Sequence, residues 1–365
     1  MLERVAGWFK MRAPQWCLDA LQVEVTSRCT NRCVMCPRTV LGERWPEIDL
    51  SWEAFERTAR AFPYTRHVHL QGWGEPLLHP RLFEMIALAK SAGCRVGLTT
   101  NGMPLDQGMA KRLLDLGLDL LSISIAGATP ETHEGIRVGS AFSRILEHVR
   151  QFQRLRAGRP GKGPKLELSY LMTRTNITEL PQAVDLAARL GVEELYAINL
   201  DYVVTPAHDR LRVFGCPDLR EEAVRTVEEA GRRARQVGLA FRCYPLDLEE
   251  VTICEAHPTK ILFVSCDGWV APCTYLSLPG QREIPRWIEG RQVMVPAPRF
   301  GNVQEQDLME IWEGPAFREF RERFVRRERV AASAALFAAA GGEDRGADLS
   351  PPPEPCLTCN KLYGV

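Results

Sequence analysis

The chain has 365 residues, and its 46 lysines and arginines balance its 46 aspartates and glutamates, so the formal net charge is zero. A balanced charge gives no case for a polyanionic partner, and we expect no binding of nucleic acid. No apolar run approaches the roughly 20 residues that a membrane span needs, and the N-terminus lacks the blocks of a signal peptide. The sequence therefore predicts a cytoplasmic protein without a membrane span, built from one large domain and a smaller appended one.

Residues 1–19 precede the first predicted strand. Apolar residues recur there at helical spacing, namely Leu2, Val5, Trp8 and Phe9. This pattern predicts an N-terminal helical extension that either packs on the protein body or lies on a membrane surface, and we favour packing.

Residues 20–203 alternate short β-branched segments with amphipathic helical segments, which is typical of βαβ units on a parallel sheet. The predicted strands are Leu21–Thr26, His67–Gln71, Arg95–Thr100, Leu120–Ile125, Leu166–Met172 and Glu194–Leu200. The predicted helices between them are Ser51–Ala61, Pro80–Ala92, Asp106–Leu116, Ser140–Arg156 and Glu179–Leu190. Six strand–helix units are two short of a closed (β/α)₈ barrel, so the sequence predicts an α/β fold with a partial (β/α)₆ barrel. Functional loops are expected at the carboxyl ends of its strands.

The pattern changes after the sixth predicted strand. Residues 204–250 are predicted to form a linker helix and strand, and residues 251–365 a small second domain. The elements predicted here are a helix at Arg220–Val237, a hairpin of Ile261–Val264 and Trp269–Ala271 that turns at Asp267 and Gly268, and a helix from about Glu305 to Arg329. The segment Ala331–Pro355, rich first in Ala and then in Gly and Pro, is predicted to be a flexible excursion.

The chain contains 12 cysteines and no export signal, which argues against a disulfide framework and favours metal binding. Three groups stand out: Cys29, Cys33 and Cys36; Cys254, Cys266 and Cys273; and Cys356 with Cys359. The remaining cysteines are isolated and receive no predicted metal-binding role: Cys17, Cys94, Cys216 and Cys243.

The first cysteine group lies on a loop directly after the first predicted strand. Three thiolates within eight residues suit one face of a [4Fe–4S] cubane, which has four irons and normally takes four cysteines. The missing fourth ligand leaves one iron open for a substrate or cofactor, as in catalytic metal centres. The alternatives are a zinc site, for which one triplet lacks the fourth ligand, and three unrelated core thiols.

The C-x₃-C-x₂-C spacing of Cys29, Cys33 and Cys36, after the first strand of a partial barrel, resembles the signature loop of radical S-adenosylmethionine (radical SAM) enzymes. The resemblance implies that these cysteines bind a [4Fe–4S] cluster whose open iron is chelated by SAM. It further implies that one electron from the cluster cleaves SAM and releases a 5′-deoxyadenosyl radical, which abstracts hydrogen from the substrate. A reducing partner such as flavodoxin or ferredoxin is expected to supply that electron.

A turn after the second predicted strand resembles the SAM-binding G-G-E-P element of this family. The segment reads Gly72-Trp73-Gly74-Glu75-Pro76, so Trp73 takes the place of the first glycine of that element. A turn that glycine permits brings backbone carbonyls close to a ligand, and Glu75 adds negative charge, so both suit the ammonium group of SAM. The predicted contacts of this element are therefore Gly74, Glu75 and Pro76.

The resemblance implies further contacts with SAM. Asn101 after the third strand, and Ser122 and Ser124 in the fourth, resemble the polar positions that line the ribose and methionine. Arg137 resembles an arginine that pairs with the SAM carboxylate, a task suited to a guanidinium fork, and the alternative for it is a surface salt bridge. Met35 occupies the position that packs near adenine, where an aromatic residue is commoner.

The remaining cysteines predict a second metal site. Cys254, Cys273, Cys356 and Cys359 could fully ligate a second [4Fe–4S] cluster or a tetrahedral zinc ion. Their C-x₁₃-G-x₄-C arrangement with a late C-x₂-C is similar to the SPASM group of radical SAM proteins. Because six residues follow Cys359, the layout resembles the shortened twitch form with one auxiliary cluster, as in the aminocyclitol-oxidising enzyme of butirosin biosynthesis. Cys266 is close enough to replace one of these ligands.

The resemblance leads to three hypotheses for function. The first is a radical SAM oxidoreductase that dehydrogenates a sugar, an aminocyclitol or a related small natural product and passes one electron to the auxiliary cluster. The second is crosslinking or oxidation of a ribosomally made peptide, which the short stretch of about 20 residues before the first strand disfavours. The third is a zinc-bound module without enzymatic activity.

Substrate contacts have weaker signals in the sequence. Asp201 follows the sixth strand, where barrel enzymes place functional groups, and it is a candidate proton acceptor. His67, His69 and Gln71 share one face of the second strand. They either meet a polar substrate or are hydrogen-bonded within the barrel wall.

Overall fold

A computed structural model describes residues 17–159, 161, 163–339 and 349–365 of the chain. Most of the N-terminal extension predicted for residues 1–19 therefore lies outside the described residues. The first strand already begins at Leu18, within the range predicted as extension.

The described residues contain a long sheet, a separate hairpin and helices that cover the sheet. The strands are β1 (Leu18–Val23), β2 (Thr65–Leu70), β3 (Arg95–Thr100), β4 (Leu120–Ile125), β5 (Lys165–Met172), β6 (Glu194–Asn199), β7 (Ala240–Cys243), β8 (Ile261–Val264), β9 (Trp269–Ala271), β10 (Glu283–Ile288), β11 (Arg291–Pro296) and β12 (Gly301–Asn302). The helices are α1 (Pro37–Leu41), α2 (Trp52–Ala59), α3 (Leu82–Ser91), α4 (Gln107–Asp115), α5 (Pro130–Ile136), α6 (Phe142–Ala157), α7 (Leu180–Leu190), α8 (Pro206–Leu211), α9 (Arg220–Val237), α10 (Leu308–Glu313) and α11 (Pro315–Ala339).

Strands β1 to β6 lie side by side in chain order, and each is parallel to the next. This order confirms the predicted α/β fold with a partial barrel. The sheet extends beyond six strands, because β7 pairs parallel to β6 at one edge and β8 pairs parallel to β1 at the other. The β8–β9 hairpin and β12 continue the latter edge, while β10 and β11 form a separate antiparallel hairpin. Sheet hydrogen bonds therefore connect the predicted C-terminal domain directly to the barrel.

Successive residues of each strand face the two sides of the sheet. One side packs in the hydrophobic core beneath the helices, and the other lines the cavity inside the barrel. In β4 the apolar residues Leu121, Ile123 and Ile125 are fully buried, whereas Ser122 and Ser124 point to the other face and line a cavity. This period of two is what a strand between two different environments requires. On the outer layer, α6 buries Ile145 and other apolar residues at helical spacing against the sheet.

Two of the differences from the predicted boundaries have a clear physical cause. The first strand is Leu18–Val23 rather than Leu21–Thr26, because the chain leaves the ladder after Val23 and Thr26 forms an isolated bridge with Asp49. The predicted helix Glu305–Arg329 is two helices, since Gly314 has an extended backbone and Pro315 opens α11.

The segment predicted as a flexible excursion is partly helical. Helix α11 continues to Ala339, because the alanine-rich run after Ala331 favours helix. Residues 340–348 lie outside the described residues. No helix of the described part combines the length and the apolar character that crossing a membrane requires.

Candidate active site

One cavity of about 550 Å³ lies inside the barrel and opens toward the carboxyl ends of its strands. Its lining contains residues from the first cysteine loop, from the barrel strands and from the C-terminal region. A cavity of this size suits a cofactor-sized ligand. The cavity therefore joins the two regions in which the sequence places metal sites.

The cysteine loop supplies three thiols to this cavity, those of Cys29, Cys33 and Cys36. Burial raises the pKa of Cys29, and the charges of Glu75 and Cys33 raise it further. Burial and the neighbouring Cys33 likewise raise the pKa of Cys36 to about 12. The thiols of Cys29 and Cys36, whose ionisation burial disfavours, suit a cationic iron cluster, which favours their thiolate forms.

The arrangement of these three thiols bears on whether they could hold a single metal ion or an iron–sulfur cluster. No three or more His, Cys, Asp or Glu side chains in the described ranges are grouped so that they could hold one metal ion. A cubane distributes its ligands over separate irons and therefore needs them further apart than a single zinc ion does. Three mutually interacting thiols on one cavity wall fit the donor set of a cluster with one open iron.

The backbone of the cysteine loop is held against the segment that follows α5. The amide of Arg32 donates to the carbonyl of Val138 at 2.7 Å, and that of Val34 donates to Ile136 at 3.0 Å. On its other side, the Val34 carbonyl lies 2.9 Å from Nε2 of His208. These contacts place the segment that carries Arg137 directly beside the cysteine loop.

The glycine turn after β2 passes unusually close to the end of β1. A Cβ atom on Gly74 would lie 2.1 Å from the carbonyl oxygen of Thr26, so only glycine fits here. Glu75 then accepts hydrogen bonds from the Asn101 amide at 2.7 Å, from Thr100 Oγ1 at 2.7 Å and from the Leu77 amide at 3.1 Å. Burial raises the pKa of Glu75 to about 7. Glu75 thus fixes the β3 loop as well as facing the cavity.

The predicted SAM contacts lie around the same cavity. All of them line it except Pro76, which begins a short 3₁₀ turn; the lining residues are Met35, Gly74, Glu75, Asn101, Ser122, Ser124 and Arg137. Asn101 also donates from Nδ2 to the sulfur of Cys29 at 3.6 Å. Nε of Arg137 is buried without a hydrogen-bond partner among the described residues, so it is available to an anionic ligand in the cavity.

Trp73 stands at the first glycine position of the G-G-E-P element, and its side chain makes contacts that a glycine cannot make. Its Nε1 donates to the carbonyl of Ser277 at 2.9 Å, and its ring lies 5.2 Å from that of Tyr202 and 6.1 Å from that of Tyr275. The indole therefore joins the turn after β2 to the C-terminal region. These contacts need the large indole ring, which explains why this position carries tryptophan instead of glycine.

Glu24 is a buried residue of this junction that the sequence analysis missed. Its carboxylate accepts from the amide of Trp73 at 2.7 Å and from the amide of Cys266 at 3.3 Å. Burial raises the pKa of Glu24 to about 7, and the nearby Asp267 adds to the rise. A glutamate within an apolar strand segment was the available signal, because a buried charge needs specific partners.

The four predicted auxiliary ligands come together from three separate segments. Burial raises the pKa of Cys254, Cys273 and Cys356, and in each case the charge of Cys359 raises it further. Cys266 instead lies beside Glu24 and Ser27. Four thiols in mutual electrostatic contact fit a fully ligated cluster, as the first loop fits one with an open iron.

The candidate proton acceptor, Asp201, lies in the cavity wall within a polar cluster. Lys361 Nζ is 2.8 Å from its Oδ2, Tyr275 donates its hydroxyl at 3.0 Å, and Asn360 Nδ2 donates to the Asp201 backbone carbonyl at 2.8 Å. Deeper in the barrel, His69 Nε2 lies 2.8 Å from Gln71 Oε1. Burial lowers the pKa of His69 to about 4, so this histidine is a neutral part of the wall.

Comparison with known proteins matches both regions. Residues 23–187 match the radical SAM superfamily, and residues 254–334 match an iron–sulfur cluster-binding domain, SPASM. The chain is 29% identical over 307 residues to the tungsten-containing aldehyde ferredoxin oxidoreductase cofactor-modifying protein of Pyrococcus furiosus, with 82% of each protein covered. It is 26% identical over 307 residues to the PqqA peptide cyclase of Methylobacterium nodulans, covering 82% of this chain and 74% of that protein.

Solved structures show the same fold. SuiB of Streptococcus suis, in complex with its precursor peptide SuiA, has a TM-score of 0.58 at 15% identity. That likeness covers 84% of this chain and 67% of SuiB. The chain therefore carries a radical SAM superfamily domain, which contains the first cysteine loop, and a C-terminal SPASM iron–sulfur cluster-binding domain.

Proposed function

We propose that this radical SAM enzyme modifies a ribosomally made peptide by crosslinking or oxidising its residues. The observation that carries the proposal is the similarity to the PqqA peptide cyclase, which extends over 82% of the chain. This proposal reverses the order of the hypotheses from the sequence, where dehydrogenation of a small molecule came first. The matches to a radical SAM domain and a SPASM domain also argue against the zinc-bound module without enzymatic activity.

The radical SAM domain brings SAM and a [4Fe–4S] cluster, and the SPASM domain brings an auxiliary iron–sulfur cluster. Once bound and reduced, the first cluster would cleave SAM and supply a 5′-deoxyadenosyl radical for hydrogen abstraction. In our proposal Cys29, Cys33 and Cys36 hold the first cluster and leave one iron open. The auxiliary cluster, a second [4Fe–4S] cluster, is held by the remaining four ligands: Cys254, Cys273, Cys356 and Cys359.

The cavity residues orient SAM in this proposal. Arg137 binds the carboxylate, because the unpaired Nε lies beside the cysteine loop. Gly74 allows the backbone to approach the ammonium group, and Glu75 and Pro76 fix that turn. The remaining contacts are polar ones to the ribose and methionine from Asn101, Ser122 and Ser124, and packing on adenine by Met35.

Asp201 is proposed to receive the proton that the substrate loses. Its carboxylate is held at Oδ2 by Lys361 and Tyr275, which keeps the group in one orientation toward the cavity. A fixed carboxylate next to a bound substrate satisfies the geometric requirement for a general base. A reducing partner such as flavodoxin or ferredoxin remains the expected electron source.

A second candidate function is dehydrogenation of a sugar or aminocyclitol, which would make the enzyme an oxidoreductase. The observation that favours it is a set of neutral hydrogen-bonding side chains in the cavity lining, beyond those assigned to SAM. They are Gln22, Gln71, Thr99 and Ser169. Such groups suit a substrate with several hydroxyl groups.

Deuterium transfer distinguishes these functions. The reconstituted enzyme is incubated anaerobically with SAM, a reductant and either a perdeuterated precursor peptide from the neighbouring genes or a perdeuterated aminocyclitol. Mass spectrometry then measures deuterium in 5′-deoxyadenosine, which reports the donor of the abstracted hydrogen. We expect deuterium from the peptide and a peptide product that has lost two hydrogens. Transfer from the aminocyclitol alone would establish the second function and overturn the first.

A further inference from the structure

Arg286 is a buried cation between the segments that carry the auxiliary cysteines. It lies on β10, and only 4% of its surface is exposed. Its Nη1 donates to the carbonyl of Pro355 at 2.6 Å and to Thr358 Oγ1 at 3.2 Å, on either side of Cys356. Its Nη2 donates to the carbonyl of Tyr275 at 3.3 Å, two residues after Cys273.

The charge of Arg286 is not balanced by a protein carboxylate. Within the residues that the structure describes, no ion pair joins Arg286 to an aspartate or glutamate. Its guanidinium lies instead between the segments that carry Cys273 and Cys356, where it donates to the carbonyls of Tyr275 and Pro355. A guanidinium taken out of water without a counterion is costly, so its retention here requires a negative group nearby.

A fully thiolate-ligated iron–sulfur cluster is such a group. Each thiolate carries one negative charge, and one-electron reduction adds a further negative charge to the cluster without forming or breaking a bond. A buried cation beside the ligands stabilises the reduced form more than the oxidised form, because the attraction grows with the charge of the cluster. Hydrogen bonds and charges around the sulfurs are established determinants of cluster potentials.

We propose that Arg286 is the countercharge of the auxiliary cluster and raises its reduction potential, so that the cluster takes up an electron more readily. The inference rests on the assignment of Cys254, Cys273, Cys356 and Cys359 as ligands. It is independent of whether the substrate is a peptide or a small alcohol.

A second buried arginine provides the contrast. Arg327 on α11 is fully buried and also binds carbonyl groups before the auxiliary cysteines, those of Val251 and Thr252. Its charge is paired with Glu250 at 2.7 Å. Arg327 therefore has a local counterion, and its replacement should change the position of the chain without a comparable change in cluster potential.

The test uses the full chain without its barrel cysteines, so that only the auxiliary cluster contributes a signal. The variants Arg286→Lys, which keeps the charge, and Arg286→Gln, which keeps hydrogen-bond donors without charge, are made in the triple Cys29→Ala, Cys33→Ala, Cys36→Ala background. Iron content and an anaerobic redox titration followed by electron paramagnetic resonance are measured for each. We expect about four irons per chain throughout.

Arg286→Gln should make one-electron reduction at least tenfold less favourable, a shift of about 59 mV, whereas Arg286→Lys should retain most of the potential. Loading of the cluster by the Lys variant but not by the Gln variant would also support a requirement for charge. Equal reduction potentials in the parent and the Arg286→Gln variant would overturn the proposal. So would a cluster that forms in the Arg286→Gln variant but not in the Arg286→Lys variant, or one that forms in neither. Absence of iron from the parent background itself would instead refute the ligand assignment, which separates the two failures.

Discussion

The two cysteine groups that we propose as cluster ligands extend over very different ranges along the chain. Cys29 to Cys36 lie on one loop, whereas the auxiliary cysteines are spread from Cys254 to Cys359. Closing a long chain segment costs more conformational entropy than closing a short loop, although the cost grows slowly with length. The short loop therefore brings its three thiols together locally, and its spacing is visible in the sequence. The distant group depends on the rest of the fold to bring its four cysteines together.

The two groups also differ in what holds them. The first loop is fixed by backbone hydrogen bonds from Arg32 and Val34 to the segment after α5, and by a contact between the His208 side chain and the Val34 carbonyl. The auxiliary segments are held by buried arginine side chains, Arg286 and Arg327, which bind carbonyl groups next to the cysteines in sequence. Backbone contacts depend little on side-chain identity, so we expect substitution of Arg286 or Arg327 to disturb the auxiliary region more than substitution of Arg32 or Val34 disturbs the first loop.

The largest expected effect separates the two groups directly. Cys33→Ala should abolish reductive cleavage of SAM, a loss of at least about a thousandfold, because the open-iron cluster loses one of its only three protein ligands. Iron should fall from about eight to about four per chain. The measurements are 5′-deoxyadenosine by chromatography and iron by colorimetric assay.

The reciprocal variant is Cys356→Ala. It should also lose about four irons, but SAM cleavage should survive at least in part, because the first loop is intact. Formation of modified product should be lost with the auxiliary cluster. Full loss of SAM cleavage in Cys356→Ala would show that the two regions are not separable in this way.

The next effect concerns how the auxiliary segments are held together. Arg327→Met should destabilise the folded protein by about 4 kcal/mol, because it removes a buried charge-paired group and leaves buried carbonyls without a donor. Thermal unfolding and the iron content of the auxiliary site measure the effect. The neighbouring Arg326, whose side chain is 60% exposed, provides the matched control. Arg326→Met should be nearly neutral, and an equal loss in both variants would exclude a specific role for Arg327.

These contrasts explain which parts of the molecule the sequence could reveal. The strands Arg95–Thr100 and Leu120–Ile125 match their predictions in full, because alternation and β-branching are local signals. The triplet of Cys29, Cys33 and Cys36 is equally local. The parallel pairing of β8 with β1 was not predicted, because the pairing partner of a short strand depends on contacts distant in sequence.

The junction between the two regions was the least predictable part of the site. Trp73 was predicted only as a departure from a glycine element, yet its ring packs against Tyr202 and Tyr275. Glu24 and Arg286 were not singled out, because a lone charged residue in an apolar strand does not identify its partner. Only the fold brings Glu24 next to the amide of Cys266, and Arg286 next to the loop around Cys356.

Glu24 provides a pH test of this junction. Its carboxyl pKa is raised from 4.5 to about 7 in the folded protein, chiefly by burial. Between these two pH values the folded state binds more protons than the unfolded state, so the stability decreases as the pH rises and levels off above about 7. The change attributable to Glu24 is about 3 kcal/mol across this range.

Glu24→Gln should remove this contribution, so its stability relative to the parent should rise from pH 4.5 to 7 and then remain constant. Thermal midpoints of the two proteins across the pH series measure the difference. Glu56→Gln, at an exposed position on α2, is the control and should follow the parent curve. If the thermal midpoint of Glu24→Gln changes with pH in parallel with that of the parent, the Glu24 carboxyl does not make the stability of this junction depend on pH.

The smallest effect is confined to the first region. Gly74→Ala should destabilise the protein by about 2 kcal/mol and weaken SAM binding, because the added methyl group meets the Thr26 carbonyl and shifts the turn. The auxiliary cluster should be retained, as measured by iron content in the background without the barrel cysteines. Gly135→Ala is the matched control, since Gly135 lies in α5 with nothing within 4 Å of its added Cβ. It should leave SAM binding unchanged and slightly favour the helix, and equal losses of SAM affinity in both variants would contradict a close backbone approach at Gly74.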